Sequence, residues 1–165
     1  AKTSPTRKFS KLPKESNIWQ HNCSKTLRYC MAASNKRALI DAAAKVRRSA
    51  VAPYSKFKVG AALLTKRGEI ITGINVESAS YGLTCCAERV ALFKALTQGA
   101  KSFVAIAIVA RAPKGPMPCG ACRQLLAEYA PKATVWVADS ARPGAVRAFR
   151  VAALLPEAFR KVPRR

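Results

Sequence analysis

The sequence predicts an α/β fold: a three-layer α/β/α sandwich built on a mixed five-stranded sheet. Three observations predict it. Apolar residues recur at helical spacing in separated segments, β-rich runs lie between those segments, and one run, FVAIAIVA at 103–110, is apolar without interruption. An unbroken apolar strand is what a sheet covered by helices on both faces requires. In chain order the elements read αββαβαββα, which places a mixed sheet between helices.

The first helix rests on Leu39, Ala43, Val46 and Ala50, which share a face while Lys45, Arg47 and Arg48 fall elsewhere; Pro53 ends it. Residues 57–65 and 69–75 are strands joined by Lys66-Arg67-Gly68, a hairpin connection whose glycine can take positive φ. Residues 87–98 form the second helix, stopped by Gly99. After the 103–110 strand comes a third helix at 119–130, ended by Pro131. A buried strand at 134–138, an edge strand at 146–151 and a short helix or turn at 152–159 complete the order.

A chain of 165 residues with half its composition apolar can bury one domain's core. No apolar run approaches the length of a membrane span, so membrane insertion is not expected. The formal charge is +22, and it is spread widely: residues 1–30 hold seven Lys/Arg against one acid, and the remainder hold 23 against seven. Such a field attracts polyanions, RNA included, in a salt-dependent way; a solubility role or a basic host proteome explains it equally well. Residues 1–30 are Ser/Thr/Lys/Pro-rich without periodicity and read as a basic extension before a domain at 31–165. Their character suits an organellar presequence or its remnant, with Met31 as an alternative start.

The six cysteines stand at 23, 30, 85, 86, 119 and 122, adjacent or closely spaced in a chain that needs no staples at this size. Metal-binding or catalytic thiols fit better and imply a reducing compartment, cytoplasmic or mitochondrial. Cys119 and Cys122 in MPCGACRQ are three apart, so in a first helical turn their sulfurs share a face and can hold one ion. A third ligand is needed, and Cys86, opening the second helix, supplies it; the fourth position is then left for water, as in catalytic zinc sites. Glu88, two residues further on, can approach that water without being a ligand. Taken singly, Glu88 is an ordinary first-turn acid, Cys86 a small core hydrophobe and the Cys-x-x-Cys a redox pair; together they form one catalytic site. Cys85 competes for the third ligand position, and the spacing to Glu88 favours Cys86. Cys-x-Glu followed by Pro-Cys-x-x-Cys matches the signature of zinc deaminases, His-x-Glu or Cys-x-Glu and then Pro-Cys-x-x-Cys.

Several further stretches make the likeness specific. With APYSKFKVGAALLT (52–65), GINVESASYG (73–82), CCAERVALFKA (85–95), PCGACRQLLAE (118–128) and LLPEAF (154–159), the chain resembles the small, zinc-dependent, homotetrameric cytidine deaminases over residues 34–160. The resemblance implies one zinc per chain and hydrolysis of cytidine or deoxycytidine to uridine or deoxyuridine plus ammonia, in pyrimidine salvage. Zinc-bound hydroxide would attack C4, with Glu88 as the proton shuttle. It further implies that Arg89 and Gln124 stand behind the cysteine ligands, the arginine offsetting their excess negative charge. Asn75 and Glu77 match the ribose-binding pair, although the residue after that glutamate is Ser78 where the family has asparagine. Phe57 and Val59 match the wall against the base, Ala87 a substrate contact beside the metal ligand, and Tyr54 and Phe159 aromatics at the mouth. In the family the last of these reaches a neighbouring subunit, so the resemblance implies a tetramer with shared sites. His21, the only histidine, lies in the extension, where a solvated role is expected.

Two other readings compete. A polynucleotide-editing deaminase would exploit the positive charge, but such enzymes mostly use His-x-Glu and need an open groove; a related class acting on blasticidin S would not need Glu77. A deaminase-fold structural subunit of an RNA-containing assembly, such as an organellar ribosome, would use both tail and basic surface. Against that, every expected reactive residue is in place.

Overall fold

The computed structural model describes residues 35–159. The expected extension at 1–30, with His21, Cys23, Cys30 and the start-site reading of Met31, lies outside the described residues. Helix α1 occupies residues 35–46 and tightens into a 3-10 turn at Arg47–Ser49. Strands β1 (Val59–Thr65) and β2 (Ile70–Ile74) form a hairpin whose turn places Gly68 at φ 89°. Helix α2 (Ala87–Thr97), β3 (Phe103–Ala110), α3 (Gly120–Tyr129), β4 (Thr134–Asp139), β5 (Arg142–Arg150) and α4 (Val151–Leu154) follow.

The strands form a five-stranded sheet in the order β2-β1-β3-β4-β5, with β3 and β4 parallel and the other pairs antiparallel. The expected fold class and element order therefore hold. Alternation along each strand splits the core in two. Ala61 and Leu63 of β1 with Ile106 and Ile108 of β3 pack against α2, α3 and α4, while Ala62, Leu64, Ala105, Ala107 and Val109 pack against α1. That is why the 103–110 run has no polar position: both its faces are covered by helix.

Two glycines set how closely helices approach. Gly60 of β1 lies under α1, where a Cβ would stand 2.1 Å from the Ala43 carbonyl oxygen, and Gly73 of β2 lies under α2. Since β2 and β3 flank β1 and both run antiparallel to it, their carboxyl ends share one edge of the sheet with that of β4. Helices α2 and α3 both begin at that edge, the usual location for ligands in open α/β sheets.

Some boundaries move. Phe57, expected in a strand, precedes β1 in an irregular segment and is 41% exposed, because the Asn75 side chain, rather than a strand ladder, binds its carbonyl. The edge strand begins at Arg142 instead of 146; Pro143 is tolerated because an edge strand leaves one side of its ladder unpaired. The terminal helix spans only Val151–Leu154 and ends before Pro156.

Candidate functional site

Cys86 is the N-cap of α2, with extended φ −70° and ψ 151°, and Cys119 is the N-cap of α3, with φ −68° and ψ 169°. Neither helix has a side-chain cap, so each start presents free N–H groups and the positive end of its dipole beside a sulfur. Cys122, three residues into the α3 turn, is buried. The Sγ atoms of Cys86, Cys119 and Cys122 all lie within 4.8 Å of one another, and Cys86 and Cys119 are 3.8 Å apart. Tetrahedral zinc with bonds of about 2.3 Å to sulfur holds its sulfurs about 3.8 Å apart, so the donor set fits that ion. Cys85 is not one of the three; its backbone pairs with Val76 instead.

The electrostatics favour charge at this place. The Cys86 thiol is pulled down to about 5, first by a hydrogen bond from Cys122, against the opposing effect of burial, and then by Cys119 and Arg89. Cys122, which donates that bond, is pushed up correspondingly. Glu88 is only 6% exposed, and burial, with the Cys86 charge adding to it, pushes its carboxyl up to about 7. A carboxyl poised near neutrality can both take and give a proton. Arg89 donates through Nη2 to the Thr84 carbonyl, while its buried Nε has no acceptor among the described residues. That leftover donor next to the thiols is consistent with an added anionic cluster.

Asn75, 7% exposed, accepts the Val59 amide at 2.8 Å and donates to the Phe57 carbonyl at 2.9 Å. Glu77 accepts the amides of Tyr54 and Ser55 at 3.0 and 3.1 Å and the Ser55 hydroxyl. A pocket of about 450 Å³ lies there, lined by Tyr54, Ser55, Glu77, Tyr81 and Thr84. Ala87 is fully buried next to Cys86, whereas Tyr54 and Phe159 are 52% and 64% exposed.

Gln124 follows Cys122 by two residues on α3. Its amide donates to the Glu128 carboxylate and the Phe159 carbonyl and accepts the Phe159 amide, so it ties α3 to the segment that follows α4. Three contributors went unnoticed in the sequence: Ser55, Thr84, and Arg123, which ties the Pro118 carbonyl before Cys119 to Leu154 of α4. Arg123 directly follows Cys122, and that adjacency was the available signal. A larger cavity, about 720 Å³, opens at the opposite end of the sheet among Lys66, Arg67, Glu69 and Lys101, and it contains no cysteine.

Comparison with known proteins places this geometry. Residues 33–138 match the family described as the cytidine and deoxycytidylate deaminase zinc-binding region. A cytidine deaminase of Halalkalibacterium halodurans is 49% identical over 125 residues, covering 76% of this chain and 94% of that protein. Another, from Sporosarcina psychrophila, is 46% identical over 123 residues, covering 74% and 90%. The crystal structure of cytidine deaminase from Burkholderia pseudomallei matches with a TM-score of 0.70 at 50% identity, covering 74% of this chain and 97% of that one.

Proposed function

The chain belongs to the cytidine and deoxycytidylate deaminase zinc-binding family, and from that premise we propose that Cys86, Cys119 and Cys122 hold one zinc ion beside Glu88 as the proton-transfer group. The protein is an enzyme, and its reaction is the hydrolytic deamination of cytidine and deoxycytidine to uridine and deoxyuridine with release of ammonia. The observation that carries the site assignment is the convergence of three sulfurs and one buried carboxylate at two adjoining helix starts.

When bound, zinc supplies Lewis-acid activation of water for attack at the ring carbon that bears the amine. Glu88 holds the proton released from that water, passes it to ring nitrogen N3 and then carries a proton to the departing amine. Three thiolates around one divalent ion leave a net negative charge, which Arg89 and the two helix starts offset. Asn75 and Glu77 bind sugar hydroxyls, Phe57 and Val59 flank the base, Ala87 touches the substrate beside Cys86, and Tyr54 and Phe159 border the mouth. Gln124 keeps Phe159 in place.

We assign the catalytic domain to 31–165 and the working form to a homotetramer. Phe93 of α2 supports the tetramer: Ala91 and Leu92 face the core, while this large apolar side chain is 42% exposed. Phe159, more exposed still, would reach a neighbouring subunit. Among the described residues no helix is long and apolar enough to cross a membrane. A reducing compartment suits the free thiols: the cytoplasm, or the mitochondrion if residues 1–30 act as a presequence.

The test is zinc content together with the ultraviolet change on adding cytidine, in high salt to strip nucleic acid. One zinc per chain with conversion to uridine is expected. Glu88→Gln should keep the zinc and lower kcat by about 10²–10⁴-fold. Zinc without turnover, with RNA co-purifying at low salt, would overturn the enzyme reading in favour of a subunit of an RNA-containing assembly.

A further inference from the structure

In the pocket lined by Tyr54, Glu77, Tyr81 and Thr84 stands a side chain, Ser55, to which the reaction assigns no role. The Ser55 hydroxyl donates to Glu77 Oε1 and accepts the Phe57 amide at 3.0 Å. Its own amide donates to Glu77 Oε2 at 3.1 Å, next to that of Tyr54 at 3.0 Å. Glu77 Oε2 thus has two donors and Oε1 one, which leaves acceptor capacity on Oε1 for a ligand hydroxyl.

The segment is not relaxed. Lys56, between Ser55 and Phe57, sits at φ 58°, a left-handed conformation that an L side chain adopts only at a cost. The turn is held from both sides: Lys56 donates its amide to the Ala52 carbonyl at 3.2 Å, and the Phe57 carbonyl accepts from Asn75. Ser55 is the one side chain in this turn that touches both Glu77 and the Phe57 backbone, and it lines the same pocket as Glu77 and Thr84.

We propose that Ser55 is a positioning residue for nucleoside binding: its hydroxyl locks the Glu77 carboxylate to the Phe57 backbone and so sets the separation between the sugar contact and the base contact. This rests on the roles given to Glu77 and Phe57 in the reading above. Without the hydroxyl, Oε2 keeps the Tyr54 and Ser55 amides but Oε1 has no donor to fix its direction, and ordering it falls to the ligand. Ser55 orders it beforehand, so its effect belongs to binding and is the same in the ground and transition states. The signature of such a role is a change in KM with little change in kcat.

The experiment compares wild type, Ser55→Ala and Ser55→Thr as zinc-loaded enzymes, with thermal unfolding recorded for each. On cytidine and 2′-deoxycytidine, Ser55→Ala should raise KM about tenfold and leave kcat within about twofold, and Ser55→Thr, which restores the hydroxyl, should recover most of the loss. On 2′,3′-dideoxycytidine, which has no hydroxyl for Glu77 to accept, wild type and Ser55→Ala should show the same KM. An unchanged KM on cytidine overturns the proposal. So does an equal KM penalty on the dideoxy substrate, which would make Ser55 a general support of the loop, and so does a joint loss of kcat and zinc. Wild-type enzyme that loads zinc but deaminates none of the three nucleosides would instead remove the functional reading, and the role of Ser55 with it.

Discussion

Replacing Gly73 by alanine tests how the fold builds the site, because the perturbation lies in β2 and the consequence should appear at the sulfurs. The new Cβ would stand 2.4 Å from the Ala91 amide nitrogen, 2.5 Å from the Ala87 carbonyl oxygen and 3.0 Å from Ala91 Cα. Ordinary contact begins near 3.4 Å, so the surfaces must part by about 1 Å. All three atoms are α2 backbone, so no side-chain rotation can relieve the clash and the helix must move. Overpacking of this kind costs about 1–3 kcal/mol. The same movement carries Cys86, the α2 N-cap, away from Cys119 and Cys122, and a misplacement of about 1 Å can cost about 10²-fold in rate. Gly120→Ala is the matched control: it lies at the start of α3, next to Cys119, and its Cβ would meet nothing within 4 Å. It should keep zinc and change stability by no more than about 1 kcal/mol. Urea unfolding, zinc competition with a chelator and kcat/KM are the assays. Gly73→Ala with wild-type urea midpoint and zinc affinity would refute the claim that close packing of α2 on β2 places Cys86.

The adjacent cysteines separate cleanly: Cys86→Ser should lose zinc and turnover, whereas Cys85→Ser should retain about one zinc per chain, as measured by atomic emission. Glu77 yields a pH prediction. The Ser55 hydroxyl first, against an opposing desolvation that ranks second, and then the amides of Ser55 and Tyr54 and the Lys56 charge hold its carboxyl below the ordinary 4.5. A depressed carboxyl contributes stability that is present above the unfolded value and lost as pH falls through the folded one. The difference in urea midpoint between wild type and Glu77→Gln should therefore stay constant from about pH 8 to 6 and shrink only below 4.5; a difference that changes near neutrality would contradict it.

Periodicity and punctuation made most of the fold legible. The 103–110 run implied a strand covered on both faces, and that strand is the parallel partner of β4 and the centre of the sheet. The clustering of Cys86, Cys119 and Cys122 was legible because zinc chemistry restricts both residue type and spacing, and Cys86 was preferred to Cys85 from its spacing to Glu88. Side-chain to backbone bonds across the chain carry no such pattern. Ser55 and Glu77 are 22 residues apart, and Gln124 and Phe159 35 apart, and nothing periodic connects either pair. That is why the Gln124–Phe159 contact and the role of Ser55 passed unnoticed. Phe57 was misread for a related reason: its β propensity suits a strand, but the Asn75 amide holds its carbonyl where a strand neighbour would.

The charge of the molecule and the charge of the site act at different ranges. Among the described residues the one ion pair is Arg37–Asp41 at 2.8 Å, four residues apart on an exposed helix face, and such pairs contribute no more than about 0.5 kcal/mol. The +22 excess therefore does little to hold the fold, which rests on the two apolar clusters on either side of the sheet. Nor is the excess the positive charge nearest the sulfurs: Arg89, hydrogen-bonded to Thr84, lowers Cys86 from close by, and two helix starts add their N–H groups. Contact electrostatics at a partly buried site, as here, are screened less by salt than exposed cations separated by more than about 8 Å at physiological ionic strength. Catalysis should accordingly tolerate salt at which the field of the basic surface is screened, as kcat/KM on cytidine measured against ionic strength would show.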